Sequence, residues 1–259
     1  LGHLVWNVDP ELARFGPFGM RWYGLLFASG FLCGYYILLS IYRREKRSEA
    51  HLSSLFSYVF LGTLIGARLG QILLYEPEFY FTHPWEILMI WHGGLASHGG
   101  FIGVLVGLWL YVRKYHDIGY LELADRLAVP TLLTASFIRV GNFFNSEILG
   151  RPSDAPWAIV FLRVDNIPRH PVMLYEGLAY AIVAVLLYIA YWKTPIAAVP
   201  GRVVGTAFAA CFGARFFLEF FKEDQIPLEQ SLPLNMGQLY SIPFILGGLY
   251  LVFRSRARS

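Results

Sequence analysis

"SFIRVGNFFNSEILGR", residues 136–151, begins as the apolar end of a membrane helix and then changes character. Ser136 through Phe144 suit lipid, yet Arg139, Asn142 and Asn145 interrupt the run, and Glu147 and Arg151 follow. Positions i, i+3 and i+6 share one face of a helix. A charge at the bilayer centre costs about 2.5–3.5 kcal/mol on insertion scales. Such a face needs a partner, a cavity or a shallow depth. A guanidinium flanked by amides suits a phosphate, which it meets with two parallel hydrogen bonds.

The rest of the chain supports a membrane setting. Of 259 residues, 56% are hydrophobic, 17% aromatic and only 15% charged. Soluble domains carry about 25% charged residues, so the deficit identifies an integral membrane protein. The formal net charge of +3 points to no nucleic-acid partner. Cys33 and Cys211 both lie in apolar stretches. They read as small buried apolar residues, not as a disulfide framework or a zinc site, and no metal is expected. No cleavable signal peptide is expected either, because the first apolar run is too long and no small-residue cleavage site follows it.

A spanning helix needs about 20 mostly apolar residues. Seven stretches qualify: 22–42, 55–75, 95–112, 123–143, 173–192, 203–221 and 236–253. The expected fold is therefore all-α, a polytopic bundle of about seven transmembrane helices. Basic residues fix its orientation. "RREKR" (43–47), "RK" (113–114), Lys193 with Arg202, and the tail "RSRARS" fall on one side if the N-terminus is outside and the C-terminus inside. The opposite loops, 76–94, 144–172 and 222–235, carry Trp, Tyr, Phe and Pro, as an outer interface should. Residues 1–259 read as a single membrane domain, with the long 144–172 loop as a cap over the outer leaflet. Gly62, Gly66 and Gly70 in the second stretch, and Gly99, Gly103 and Gly107 in the third, form stripes that allow close helix packing. The two halves show no internal repeat.

Other ionisable residues fall within or near these spans. Arg68 suits a structural ion pair or a reach to headgroups. His98 sits among Gly93, Gly94, Gly99 and Gly100, which let a ligand or a neighbouring backbone approach. Arg215 and Glu219 are an i, i+4 pair whose bland reading is a plain salt bridge. With Arg139, these groups sit at similar depth toward the outer leaflet. Two arginines, a histidine and several amides there suggest a site for a lipid headgroup phosphate.

These residues also carry a resemblance. "RVGNFFNSEILG" (139–150) is similar to the signature of the bacterial phosphatidylglycerol–prolipoprotein diacylglyceryl transferase family. "MRWYG" (20–24), "SHGGFIG" (97–103), "RHPVMLYE" (169–176), "RFFLEFFKED" (215–224) and "MGQLYSIP" (236–243) resemble further family blocks in the same order. Ile138, Met173 and Cys211 depart from it, standing where the family usually has Gly, Gln and Tyr. The resemblance implies a transferase of lipoprotein biosynthesis in the bacterial inner membrane, with its active site toward the outer leaflet. It implies transfer of the sn-1,2-diacylglyceryl group from phosphatidylglycerol to the lipobox cysteine of a prolipoprotein signal peptide, with a thioether formed and glycerol phosphate released. No cofactor is implied.

The resemblance further implies His98 as the base for the thiol and Arg139 with Arg215 as the groups that stabilise the leaving phosphate. Tyr23, Asn142, Asn145, Glu147, Gly150, Arg151, Tyr175, Glu176 and Glu219 are implied as substrate-binding or supporting. For Glu147 and Glu176, orienting an arginine is as good a role as touching substrate. A transporter or a lipid-binding protein with an intramembrane Arg/His site is the alternative. A transporter would more often show paired repeats or broken helices, and neither is visible. An intramembrane protease would want motifs such as G-x-S-x-G or H-E-x-x-H, which are missing from the sequence.

The orientation makes a prediction. With Cys33 and Cys211 replaced by Ala, a membrane-impermeant thiol probe on intact cells should label Ser153→Cys and not Ser259→Cys. The reverse pattern contradicts the assignment.

Overall fold

The computed structural model describes residues 2–15, 18–89, 94, 96–223 and 233–254. Eight α-helices are present among them: α1 (Trp22–Arg44), α2 (Glu49–Leu74), the short α3 (Pro77–Thr82), α4 (Ser97–Lys114), α5 (Tyr120–Asn145), α6 (Val172–Lys193), α7 (Arg202–Leu218) and α8 (Met236–Phe253). Each stretch expected to span folds as a helix. Among the described residues, six helices are long and apolar enough to cross a membrane: α1, α2, α5, α6, α7 with its following turn, and α8. The third expected stretch, 95–112, is α4. The all-α polytopic membrane fold is what the chain adopts. α2 begins six residues before the expected start at 55, because the polar run after Ser48 is helical without being apolar.

The strands were not expected. β1 (Leu4–Trp6), β4 (Ile159–Phe161) and β5 (Pro168–Arg169) form one small sheet in the order β1-β4-β5, while β2 (Glu11–Phe15) and β3 (Phe18–Arg21) form a hairpin. β1 runs parallel to β4, with Val5 opposite Val160. The 144–172 connection thus carries two of the three strands of a sheet. A cluster of Phe143, Leu149, Ile159, Phe161 and Met173 fills the space beneath it. Met173, one of the departures from the family pattern, is fully buried in that cluster.

The chain divides into two compact units, residues 39–123 and residues 1–38 with 124–259. In the smaller unit the two glycine stripes meet. A methyl group added to Gly62, Gly66 or Gly103 would strike the facing backbone carbonyl or Cα of the other helix, so α2 and α4 touch backbone to backbone. Arg68 is buried on α2. Its guanidinium donates to the carbonyls of Ile87 (3.0 Å), Gly94 (3.0 Å), Glu86 and Met89 (3.3 Å), and it lies 4.8 Å from the Tyr80 ring. Arg68 thus has a structural role: it supplies donors to the carbonyls of residues 86, 87, 89 and 94.

In the larger unit, Gly30 and Gly34 of α1 pack on Thr134 and Pro130 of α5, and Gly205 of α7 packs on Gly248 of α8. Near the N-terminal end of α5, Asp125 is 3% exposed. Its carboxylate accepts the N–H of Gly201 at 2.7 Å and of Val204 at 2.8 Å. These are first-turn donors of α7, left without partners in their own helix. One helix therefore caps another through a buried side chain. Asp125→Ala should lower stability by about 1–3 kcal/mol, read as a lower melting temperature in detergent, and Asp125→Asn by less. Unchanged melting of the Ala variant would contradict this role.

A polar cluster at one end of the larger unit

Residue 139 lies near the C-terminal end of α5, residue 176 near the start of α6 and residue 215 near the end of α7. Alternating chain direction brings these ends together. Gly177 is what allows α6 to approach: a methyl there would lie 3.2 Å from the Arg139 Cβ, and its carbonyl accepts the Ser136 hydroxyl at 2.8 Å. The next residue back, Glu176, then faces Arg139. Arg139 Nε stands 2.5 Å from Glu176 Oε2. Glu176 has no solvent exposure, and neither of its oxygens accepts a well-aligned hydrogen bond among the described residues.

The chain of contacts continues along α5. Arg139 Nη1 donates to Asn142 Oδ1 at 3.1 Å. Asn142 Nδ2 donates to Glu147 Oε2 at 2.9 Å, and Asn145 Nδ2 to Glu147 Oε1 at 3.2 Å. The amide face is thus gathered by Glu147, each amide giving it one N–H. The turn that brings Glu147 back has a clear local cause. Glu147 N–H bonds to the Asn142 carbonyl at 2.9 Å and Ser146 N–H to that of Phe143 at 3.1 Å, the pair of bonds of a Schellman motif. Its left-handed position is Ser146 (φ 55°), followed by Ile148 at φ 60°. A β-branched residue there costs on the order of 1–3 kcal/mol, so packing around the cap must hold it.

On α7, Arg215 Nε is 4.0 Å from Glu219 Oε2, a long pair. Glu219 is 3% exposed, and its nearer partner is Lys222 Nζ at 3.2 Å. Its carboxylate also lies against Gly237, leaving no space for a side chain there. Gly237 is in the first turn of α8, so the helix N-terminus favours the negative charge. The expected Arg215–Glu219 pair is therefore one edge of a larger arrangement. Tyr180 of α6 and Cys211 of α7 are neighbours, and Arg139, Glu176 and Arg215 are all charged neighbours of Cys211. Both arginines thus flank this contact. Cys211 is half-buried, as is Cys33, where small buried apolar residues were expected.

Tyr23, on the first turn of α1, packs over Gly141, where a methyl would lie 2.8 Å from its ring. Its charged neighbours are Glu147 and Arg139. Gly150 has a backbone reason to be glycine: a methyl there would lie 2.6 Å from the His170 Cβ. Arg151 Nε donates to the Lys222 carbonyl at 3.1 Å, and its N–H to that of Phe221 at 2.8 Å. Tyr175 takes a hydrogen bond from Trp157 at 2.8 Å and meets His170 Nδ1 at 3.1 Å. Of the candidate residues, His98 alone lies in the smaller unit, exposed on the first turn of α4.

Several residues here went unassigned in the sequence. Tyr180 lies one turn after Glu176, and Lys222 three residues after Glu219; both spacings were legible. Arg169 was not. It is 7% exposed and ties Asp165 (2.6 Å), Glu223 (3.0 Å) and the Gly150 carbonyl (3.3 Å) together. Its hydrogen bonds hold the Asp165 carboxyl below the usual carboxylate range. Arg169 thereby fixes the 144–172 connection to the segment after α7.

Comparison with known proteins agrees on one family. Residues 10–254 match the family model described as prolipoprotein diacylglyceryl transferase. The chain is 49% identical over 252 residues to a phosphatidylglycerol–prolipoprotein diacylglyceryl transferase of Tolumonas auensis, covering 97% of each. It is 45% identical over 253 residues to that of Chloroherpeton thalassium, covering 98% of this chain and 94% of the other. To that of Bacteroides fragilis it is 43% identical over 260 residues, covering 96% and 94%.

Proposed function

The chain belongs to the prolipoprotein diacylglyceryl transferase family, and from that premise we propose that the Arg139–Glu176 cluster holds the phosphate of its lipid substrate. The chain is a transferase that moves a diacylglyceryl group from phosphatidylglycerol to a prolipoprotein. The acceptor is the lipobox cysteine thiol of the signal peptide. The thiol gives up its proton to a base, and the thiolate attacks the glycerol carbon bonded to the phosphate oxygen. A C–S bond forms, the C–O bond breaks, and its electron pair leaves with the phosphate as glycerol phosphate.

The diester phosphate gains negative charge as it becomes a monoester. Groups aimed at that charge stabilise the transition state more than the ground state. Arg139 is suited to this because its position is set before substrate arrives. The observation that carries the reading is the complete burial of Glu176 at 2.5 Å from Arg139 Nε. That carboxylate holds one edge of the guanidinium and leaves another for a planar anion. Arg215, held loosely at 4.0 Å from Glu219, can turn toward a second phosphate oxygen. Asn142, Asn145, Glu147 and Tyr23 shape the same wall. Gly150, Arg151, Tyr175 and Glu219 support it.

His98 is the base in this reading, since a free thiol has pKa about 8.5 and an imidazole titrates near 6.5. Its assignment rests on the "SHGGFIG" block. α4 is taken as the seventh span, the N-terminus as outside, and the 144–172 segment as a cap on the outer leaflet of the cytoplasmic membrane. The whole of 1–259 then acts as one membrane domain.

Lysine keeps the charge of an arginine but loses its planar fork. Arg139→Lys and Arg215→Lys should each lose activity equivalent to about 2–4 kcal/mol, roughly 30- to 1,000-fold, mostly in kcat. The exposed control Ser57→Ala should be active. Melting temperature in detergent is measured for each variant. Active Lys variants at both positions, or inactivity that tracks unfolding, would contradict the phosphate assignment.

A further inference from the structure

His170 has no part in the reaction as described, yet its ring is held by a one-way hydrogen-bond relay. The Trp157 indole Nε1 donates to the Tyr175 hydroxyl oxygen at 2.8 Å. An indole N–H can only donate, which fixes the direction of this first link. The Tyr175 hydroxyl then meets His170 Nδ1 at 3.1 Å. Among the described residues Tyr175 has these two hydrogen-bond partners, and only the imidazole can accept its proton. If Nδ1 carried the hydrogen, the hydroxyl would receive two donors and have no protein acceptor for its own. The satisfied arrangement is Trp157 N–H to Tyr175 O, and Tyr175 O–H to His170 Nδ1.

That arrangement determines the other end of the ring. With Nδ1 as acceptor, neutral imidazole carries its hydrogen on Nε2. Nε2 has no hydrogen-bond partner among the described residues and is not among the buried unsatisfied atoms. It is therefore an open donor. The ring's position is also fixed. His170 N–H bonds to the Arg151 carbonyl at 3.2 Å, and its carbonyl accepts the Gly150 N–H at 3.0 Å. Gly150, lacking a Cβ, admits the His170 backbone. The ring stands edge-on to Phe221, with centroids 5.2 Å apart, in the turn that begins at Glu219. Its other neighbour, Tyr175, precedes Glu176 in the first turn of α6. The two elements that hold the ring thus also carry the two buried carboxylates of the site.

We infer that His170 is a further substrate-contacting residue, locked by Trp157 and Tyr175 as the Nε2–H tautomer and donating a hydrogen bond from Nε2 to a phosphate oxygen. Trp157 and Tyr175 are positioning residues: they act through the imidazole. No proton is transferred, so His98 keeps the thiol proton and His170 the leaving-group oxygen. This inference rests on the phosphate-site reading above.

The test has one arm that needs no turnover. Protein labelled with 15N-histidine is studied by NMR in maltoside micelles, and the His170 signals are identified by their loss in His170→Asn. The expected ring nitrogen pattern is that of the Nε2–H tautomer, and Tyr175→Phe should abolish that preference. Phosphatidylglycerol should shift the Nε2 signal, and diacylglycerol, with the same tails and no phosphate, should not. Adding glycerol phosphate shows whether the contact is to the released group alone. A hydrogen bond to a charged group is worth about 1.5–3 kcal/mol, so His170→Ala should lower turnover about 10- to 150-fold. His170→Gln, whose amide can occupy the Nε2 place, should recover most of it, at unchanged melting temperature. An Nδ1–H tautomer, a signal blind to phosphatidylglycerol, or a Gln variant as impaired as Ala would overturn the inference. An inactive wild type whose His170 signal still shifts with phosphatidylglycerol would count against the transferase reading and not against this one.

Discussion

Arg139 and Glu176 face each other at 2.5 Å where Glu176 has no exposure to solvent. Removing one member of such a pair leaves an uncompensated buried charge, at about 3–5 kcal/mol. The two helices must therefore meet with their ends in register, and Gly177 permits the approach. Once they do, the rest of this end follows. Arg139 orients Asn142, Asn142 binds Glu147, and the Schellman turn at Ser146 brings Glu147 within reach. A buried ion pair seldom adds much net stability over an apolar replacement. In the function proposed above, its use is to hold a guanidinium at fixed position and charge in a low-dielectric setting, where it acts strongly on a developing anion.

The 144–172 connection is held in place by different means. The small β1-β4-β5 sheet stands over an apolar cluster, and Arg169 fastens it at Asp165, Glu223 and Gly150. Gly150 and Arg151, implied as substrate-binding by the resemblance, owe much of their character to this architecture. One admits the His170 backbone, and the other ties the 144–172 connection to the segment after α7 through Phe221 and Lys222. The strain at Ile148 lies between these fastenings. Such strain persists only where surrounding structure over-determines the backbone.

Much of this was legible in the sequence. The spans were, because lipid demands long uninterrupted apolar helices, and the glycine stripes pointed to close packing. The amide face after Arg139 was visible as a three-residue spacing. Its gathering by Glu147 was not, because that depends on a left-handed turn at a serine, where glycine is the usual signal. β1 and β4 are three residues each and more than 150 positions apart, too short and too distant for a period-2 pattern to reveal. Asp125 reads as a stray charge in a span until its partners, the free amides of another helix, are known. Arg68 was read as an ion pair or a reach to headgroups; its donation to backbone carbonyls was not legible, because no side-chain pattern records it.

The central claim is that this end of the protein holds a phosphate while the carbon beyond it is attacked. The most direct measurement is mass spectrometry of a synthetic lipobox peptide incubated with the purified protein and phosphatidylglycerol. The account predicts that the peptide gains a diacylglyceryl group without phosphorus, with glycerol phosphate released in equal amount. A peptide that gains a phosphorus-containing or acyl-only adduct, or that stays unmodified while the protein remains folded, would contradict it.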